Sequence, residues 1–242
     1  MTLDKKPSLE DLESQVRALT YGRHKKELDL IASILNAYID GFKLIDPFSS
    51  TKDNEVETAW LLLITRSFHS MRCAMSLMQT GYYGQAISLI RTVLENWFIC
   101  HDCANNPKAV QAILYNKYDI PKRNAGLTFS KMAQRTGKLR IYKQEYHHVS
   151  KVTHPTALSL GMLRDPETNG IRAAPSYDKI LFLDCCELML RNALGMIDFL
   201  ERFLSKLSRD KVTSWGKTAT QPIKKAVEWL TALQGKYGEK NA

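Results

Sequence analysis

The chain has 242 residues, 44% of them hydrophobic and 24% charged, and a formal net charge of +9. That length and apolar content supply one large globular domain, or one with appendages, and exclude a disordered or low-complexity chain. The longest uninterrupted apolar run, Ala59 to Ile64, is far short of the roughly 20 residues that span a bilayer, and the charged N-terminus lacks the apolar core of a secretory signal, so a cytoplasmic protein with no membrane partner is expected.

In chain order, Ser8 to Thr20 opens with "SLEDLE", a cap followed by early acids, and predicts a first helix. A second is expected from about Lys25 to Ile45, where Leu28, Ile31, Leu35, Ile39 and Phe42 recur at spacings of three and four. A third runs from about Asp53 to Thr80 and stops at Gly81, a residue favoured just past a helix end. "GYYG" then reads as a tight connection to a fourth, about Gln85 to Ala104, and the pair predicts an antiparallel hairpin. Pro107 starts a short helix, "PKRNAGLTFSKMAQRTG" suggests another, and "KLRIYKQEYHHVSKVT" is helical until Pro155. "LRDPETNGIRAAPS" is the clearest loop. Tyr177 to Leu207 is apolar nearly all round (Ile180, Leu181, Leu183, Leu188, Leu190, Leu194, Ile197, Leu200, Phe203), the pattern of a central buried helix. "TSWGKTATQP" reads as a connection, with Pro222 starting a last amphipathic helix that carries Ile223, Val227, Leu230 and Leu233.

No segment alternates with period two, so no strand is expected. The fold class is all-α: a helical bundle of three to four long helices with short inserted helices and a C-terminal helix. Residues 1–24 form an N-terminal helix, 25–207 the bundle domain, and 208–242 a basic C-terminal tail. Helix faces of this length often complete their burial in a second copy, so a homo-oligomer is expected.

The positive charge is unevenly placed. Residues 121–153 hold eight Lys or Arg and one acid, and residues 202–242 hold nine and three, leaving −4 for the remainder. A basic patch of this kind suits an anionic partner such as RNA, a nucleotide or a lipid headgroup. Its plain alternative is a solvated helix face. The five cysteines (Cys73, Cys100, Cys103, Cys185, Cys186) are odd in number, and four lie in apolar helical patterns, as reduced thiols of a cytosolic protein would. "CHDC" (Cys100 to Cys103) has the spacing of half a zinc site but no matching second pair. Glu145 with His148, or Asp102 with His101, lacks the H-E-x-x-H spacing. No phosphate loop, nucleophile elbow or dinucleotide fingerprint occurs, so neither metal nor cofactor is expected.

Two constellations can carry chemistry. In "EYHHVSKVTHP", a regular helix puts Arg140, His147 and His154, spaced by seven, on one stripe. Ser150 and Tyr146 flank it, and His148 points away to solvent. Pro155 pushes His154 out of the α region, to the helix's last turn or just beyond. There the imidazole can exchange a proton or simply cap free carbonyls. The second constellation is "RTVLEN", where Arg91 and Glu95 sit at i and i+4 in an otherwise apolar helix. Such a pair is either an internal crosslink or part of a polar pocket.

These residues also resemble a pattern. "GYYGQAISLIRTVLENW", followed later by "YHHVSKVTHP", is similar to a bacterial all-helical family known only as a domain of unknown function, over roughly residues 25 to 205. Its pattern is R-x-x-x-E on one helix and Y-x-x-x-S-x-x-x-H on a later one, matched here by Arg91, Glu95, Tyr146, Ser150 and His154. More loosely, the chain resembles the HEPN superfamily of often dimeric helical bundles. Many of its members are metal-independent ribonucleases in which four to six residues separate an arginine from a histidine; Arg140 and His147, with six between them, match the upper limit. That resemblance implies a toxin or phage-defence ribonuclease working with His and Arg on RNA phosphates. The other expectation is a non-catalytic interaction module in which the Arg-Glu-Tyr-Ser-His set is a structural polar network.

Overall fold

The computed structural model describes residues 7–45, 54–115, 128–154, 163 and 174–238. The described residues contain helices and no strand, so the fold is all-α. Helix α1 spans Leu9–Lys43 and begins with a reciprocal cap: Ser8 Oγ accepts from the Asp11 N–H at 3.1 Å, and the Asp11 carboxylate accepts from the Ser8 N–H at 2.9 Å. The two helices expected here run as one, broken only by a kink at His24 (φ −130°, ψ 29°). Tertiary contacts hold that kink. The buried His24 ring stacks on Phe182 with centroids 4.4 Å apart, and its Nε2 bonds the Tyr177 hydroxyl at 2.8 Å.

Helix α2 (Glu55–Gln79) ends as expected. Gly81 has φ +87°, the Tyr82 N–H reaches back to the Leu77 carbonyl at 2.9 Å, and the Gly81 N–H to Met78 at 3.4 Å. A side chain at Gly81 would also stand 2.6 Å from the Ser176 carbonyl oxygen, so glycine is required twice over. Helix α3 (Tyr83–Cys103) starts two residues earlier than expected and returns antiparallel along α2, the most extensive helix pairing in the fold. Buried Asn96 donates to Ser67 Oγ at 2.9 Å, and Ser67 donates on to the Leu63 carbonyl, a polar stitch across this hairpin.

Helices α4 (Pro107–Tyr115) and α5 (Phe129–Arg135) are the short insertions. The next helix, α6, covers residues 139–153 and is composite. Leu139–Ile141 and His147–Thr153 are α-helical, and Tyr142–Tyr146 between them form a π-helical turn. It lies antiparallel to α3, with Tyr142 and Tyr146 edge-on to Phe98 and its far end beside Arg91.

Helix α7 (Lys179–Leu207) is central, in contact with α1, α2, α3 and the last helix. Asp178 caps it, accepting from the Ile180 and Leu181 N–H groups. Ile180, counted among its core positions from the pattern, is instead 68% exposed in that first turn. Helix α8 (Arg209–Gly238) corrects a second expectation: the segment read as a connection is helical, and Pro222 lies inside the helix. Trp215 explains this. It is buried, donates from Nε1 to the Ala37 carbonyl at 2.8 Å, and packs over Gly41, where a side chain would collide with Leu200. Ala219 and Ala226 continue the buried stripe, while Val227 faces solvent. Packing of this row on α1 and α7 offsets the roughly 3 kcal/mol that an interior proline costs a helix. No helix among the described residues is long and apolar enough to cross a membrane.

Candidate functional site

The π-helical turn decides which side chains meet. It inserts one extra residue into a turn, held by stacking of Tyr142 on Tyr146 at 5.1 Å and by packing of Tyr146 against Phe129 and Phe98. A regular helix keeps residues seven apart in line. The extra residue swings everything N-terminal to it by about 100°. The expected stripe of Arg140, His147 and His154 is therefore broken. Arg140 is exposed and, among the described residues, bonds its neighbour Gln144, at 3.2 Å from Nε. His147 is exposed and edge-on to the Tyr142 ring at 5.0 Å. Neither reaches Arg91, and His148 is exposed as expected.

Arg91, Glu95, Tyr146 and His154 do come together, across the contact of α3 with α6. Arg91 donates from Nε to Glu95 Oε1 at 2.9 Å and from Nη2 to the Tyr146 hydroxyl at 3.0 Å. Its Nη1 donates to Thr153 Oγ1 at 2.8 Å and to His154 Nε2 at 3.1 Å. Tyr146 in turn donates to Glu95 Oε1 at 3.1 Å, closing a ring of three groups. The guanidinium also lies over the Tyr146 ring, 5.3 Å from its centroid. Arg91 and Glu95 are half-buried, Tyr146 is buried and His154 is exposed, so the cluster opens to solvent at the imidazole.

Protonation states follow from this geometry. A guanidinium can only donate, so His154 Nε2 stands as the acceptor in this contact. Burial, and then the Glu95 carboxylate, push the Tyr146 phenol up against the opposing pull of Arg91, so it remains a donor. Burial disfavours the Arg91 charge, but Tyr146 and Glu95 outweigh it and raise Arg91 above its ordinary value. His154 has extended backbone (φ −96°, ψ 158°) and its N–H closes the helix on the Ser150 carbonyl at 3.0 Å, as a residue preceding proline should. Pro155 itself lies outside the described residues.

Two members differ from expectation. Ser150 Oγ is buried without a hydrogen-bond partner, so it neither fixes the imidazole nor joins the ring. Thr153, which the sequence reading missed, bonds Arg91 directly and passes its own proton to the Ser150 carbonyl at 3.2 Å. Its only sequence signal is its place beside His154 in the last turn.

The other candidates resolve into packing. Asp102 is not paired with His101. It takes a two-pronged bond from Arg135 (Nε to Oδ1 at 2.9 Å, Nη2 to Oδ2 at 2.8 Å) and a third from Asn106. His101 packs edge-on against Trp97 and Phe199, and burial, with Lys138 and Arg202 nearby, pulls it down to about 4. Cys100 and Cys103 are buried, and burial pushes the Cys103 thiol up to about 12, far from a ready thiolate ligand. Among the described residues no group of three or more His, Cys, Asp or Glu gathers as metal ligands.

Within the basic segment, Lys131, Arg135, Arg140, Lys143 and Lys151 are exposed, with Lys151 one turn before His154, while Lys122 and Arg123 lie outside the described residues. Comparison with protein-family models, with curated proteins and with solved structures gives no match at any of the three levels.

Proposed function

We propose that the chain is a metal-independent ribonuclease, related in mechanism to the HEPN enzymes and acting as a toxin or phage-defence effector, with Arg91 and His154 as its working pair. The observation that carries this reading is the meeting, at 3.1 Å and at an exposed imidazole, of two groups 63 residues apart in the chain. Neutral His154 takes the proton of a ribose 2′-hydroxyl, whose oxygen attacks the adjacent phosphorus. The P–O5′ bond breaks, and the imidazolium returns the proton to O5′. A 2′,3′-cyclic phosphate and a 5′-hydroxyl result. The Arg91 Nη1–H that meets His154 turns to a phosphoryl oxygen and stabilises its charge. Glu95 and Tyr146 hold the guanidinium in place, and the exposed lysines and arginines of α5 and α6 attract the RNA.

A second reading, a non-catalytic interaction module, is favoured by one observation. Four of the five N–H groups of Arg91 are already engaged by Glu95, Tyr146, Thr153 and His154. A set so self-satisfied can serve only to fasten α6 to α3. Incubating the purified protein with total RNA in EDTA separates the two. Cleavage that leaves cyclic phosphate ends and falls about a hundredfold or more in both His154→Ala and Arg91→Ala is the expected result. No cleavage by the wild type, or equal cleavage by His154→Ala, overturns the enzyme in favour of the fastening network.

A further inference from the structure

A second site lies on the other flank of α6. Leu94 and Trp97 of α3, Ile141 and Glu145 of α6, Arg191, Asn192, Leu194 and Gly195 of α7, and Leu230 of α8 enclose a cavity of about 320 Å³, partly open to solvent. Its walls are mainly apolar, and its polar lining is Asn192 with the ion-paired Glu145 and Arg191. That combination, at the small end of ligand-site volumes, is characteristic of a small-molecule pocket. Trp97 forms a fixed wall: its indole edge lies so close to Gly195 that a side chain there would stand 2.9 Å from Nε1.

The polar lining selects the charge of the occupant. Among the described residues Arg191 is the one cation lining the cavity, and it is already met by two carboxylates, Glu145 at 3.3 Å from Nη1 and Glu187 at 3.5 Å from Nε. The three groups together carry −1, in a chain that is strongly positive overall. Lys138 stands against the Trp97 ring at 5.7 Å and does not line the cavity. Asn192 sharpens the preference. Its Nδ2 donates to the Leu188 carbonyl at 2.7 Å, which commits the donor end to the helix and leaves Oδ1 as the acceptor this lining residue has to offer. Glu145 and Asn192 thus offer two acceptors beside an apolar body-sized space. Burial also holds Glu145 above the usual carboxylate range, a strain that a bound cation relieves.

We infer that this cavity is a binding site for a small organic amine with an apolar body, its ammonium on Glu145 and Asn192 Oδ1 and its body against Trp97, Leu94 and Leu230. The site is separate from the Arg91 cluster and does not depend on the chain being a nuclease. An amine bound there touches α6 one residue from Tyr146.

Isothermal titration at neutral pH with phenethylamine, against 3-phenylpropionate as the same body with a carboxylate, tests the assignment. Saturable binding of the amine and none of the acid is expected. Glu145→Gln weakens the amine about tenfold or more, the effect of losing a charged hydrogen bond. Arg191→Gln, which removes the competing cation and breaks the same ion pair, binds the amine as well or better. That outcome separates recognition by Glu145 from mere disturbance of the Glu145–Arg191 pair. No saturable binding at millimolar amine, equal affinity in Glu145→Gln, preference for the acid, or parallel losses in both variants would each overturn the proposal.

Discussion

Helix α3 carries two arginine–carboxylate contacts, one near each end, and they are built differently. At its C-terminal end Asp102, 2% exposed, receives Arg135 through both oxygens and Asn106 through one. The geometry is closed and bidentate. Three turns earlier Arg91 divides its donors among a carboxylate, two hydroxyls and an imidazole, and the last of these faces water. Both contacts tie α3 to the segment 129–154. A buried carboxylate with every bond taken inside the fold can only stabilise. A guanidinium spread over four partners, with the imidazole beside solvent, can exchange that one for a ligand.

The largest expected effect breaks the closed pair. Asp102→Ala leaves Arg135 and Asn106 without their acceptor and lowers stability by about 2–3 kcal/mol, less than a fully buried pair because Arg135 can turn to water. At this chain length that is roughly 5–10 °C in thermal denaturation. Arg91→Ala costs only about 1–2 kcal/mol, since Tyr146 still donates to Glu95. Equal losses in the two variants would erase the distinction between a structural and an exchangeable contact.

A pH-dependent effect, small near neutrality, sharpens the closed end. His101, one residue before Asp102, titrates at about 4 in the fold against 6.5 when unperturbed. Between those values the unfolded chain binds more protons, so this contribution is complete above about pH 6.5 and lost as pH falls, at up to about 1.4 kcal/mol per pH unit. His24, also lowered by burial, acts in the same sense. His101→Gln isolates the one residue. It melts below the wild type at pH 7, and the gap narrows in melts taken down to pH 4.5. A gap that stays constant would show that His101 titrates normally.

The smallest effects belong to Arg140→Ala and His147→Ala, whose side chains are exposed and outside both contacts. Each should change stability by less than about 0.5 kcal/mol, and neither should lower the cleavage proposed for the Arg91 cluster by more than the few-fold that one lost phosphate contact costs. A large loss of cleavage in either would move the working site from the Arg91 cluster to the spacing motif.

The sequence reading reached most of the Arg91 cluster because its parts are local. Arg91 and Glu95 are one helical turn apart, and a polar pair in an apolar helix is conspicuous without any structure. Tyr146 and His154 were legible as one polar helix end, and Pro155 marks where that end falls. Thr153 was not legible, because a threonine in a last turn has no distinguishing pattern until another helix brings a guanidinium to it. The Arg140–His147 alignment failed for a different reason. It assumed a uniform helix, and the π-helical turn is set by Phe98 and Phe129 pressing on Tyr142 and Tyr146.

The same division runs through the fold. Helical periodicity, the Ser8 and Asp178 caps and the Gly81 terminus act over a turn or two of chain, so the all-α class and most helix ends were determined by the sequence alone. Pro222 read locally as a helix start, yet the chain is helical through it, because Trp215 is anchored to a carbonyl 178 residues away. The kink at His24 likewise depends on Tyr177 and Phe182. Local steric and hydrogen-bond preferences are worth a few tenths to about 1 kcal/mol per residue. Burial of one large side chain is worth several times that, so where the two disagree the decision belongs to whichever distant surface the chain packs against.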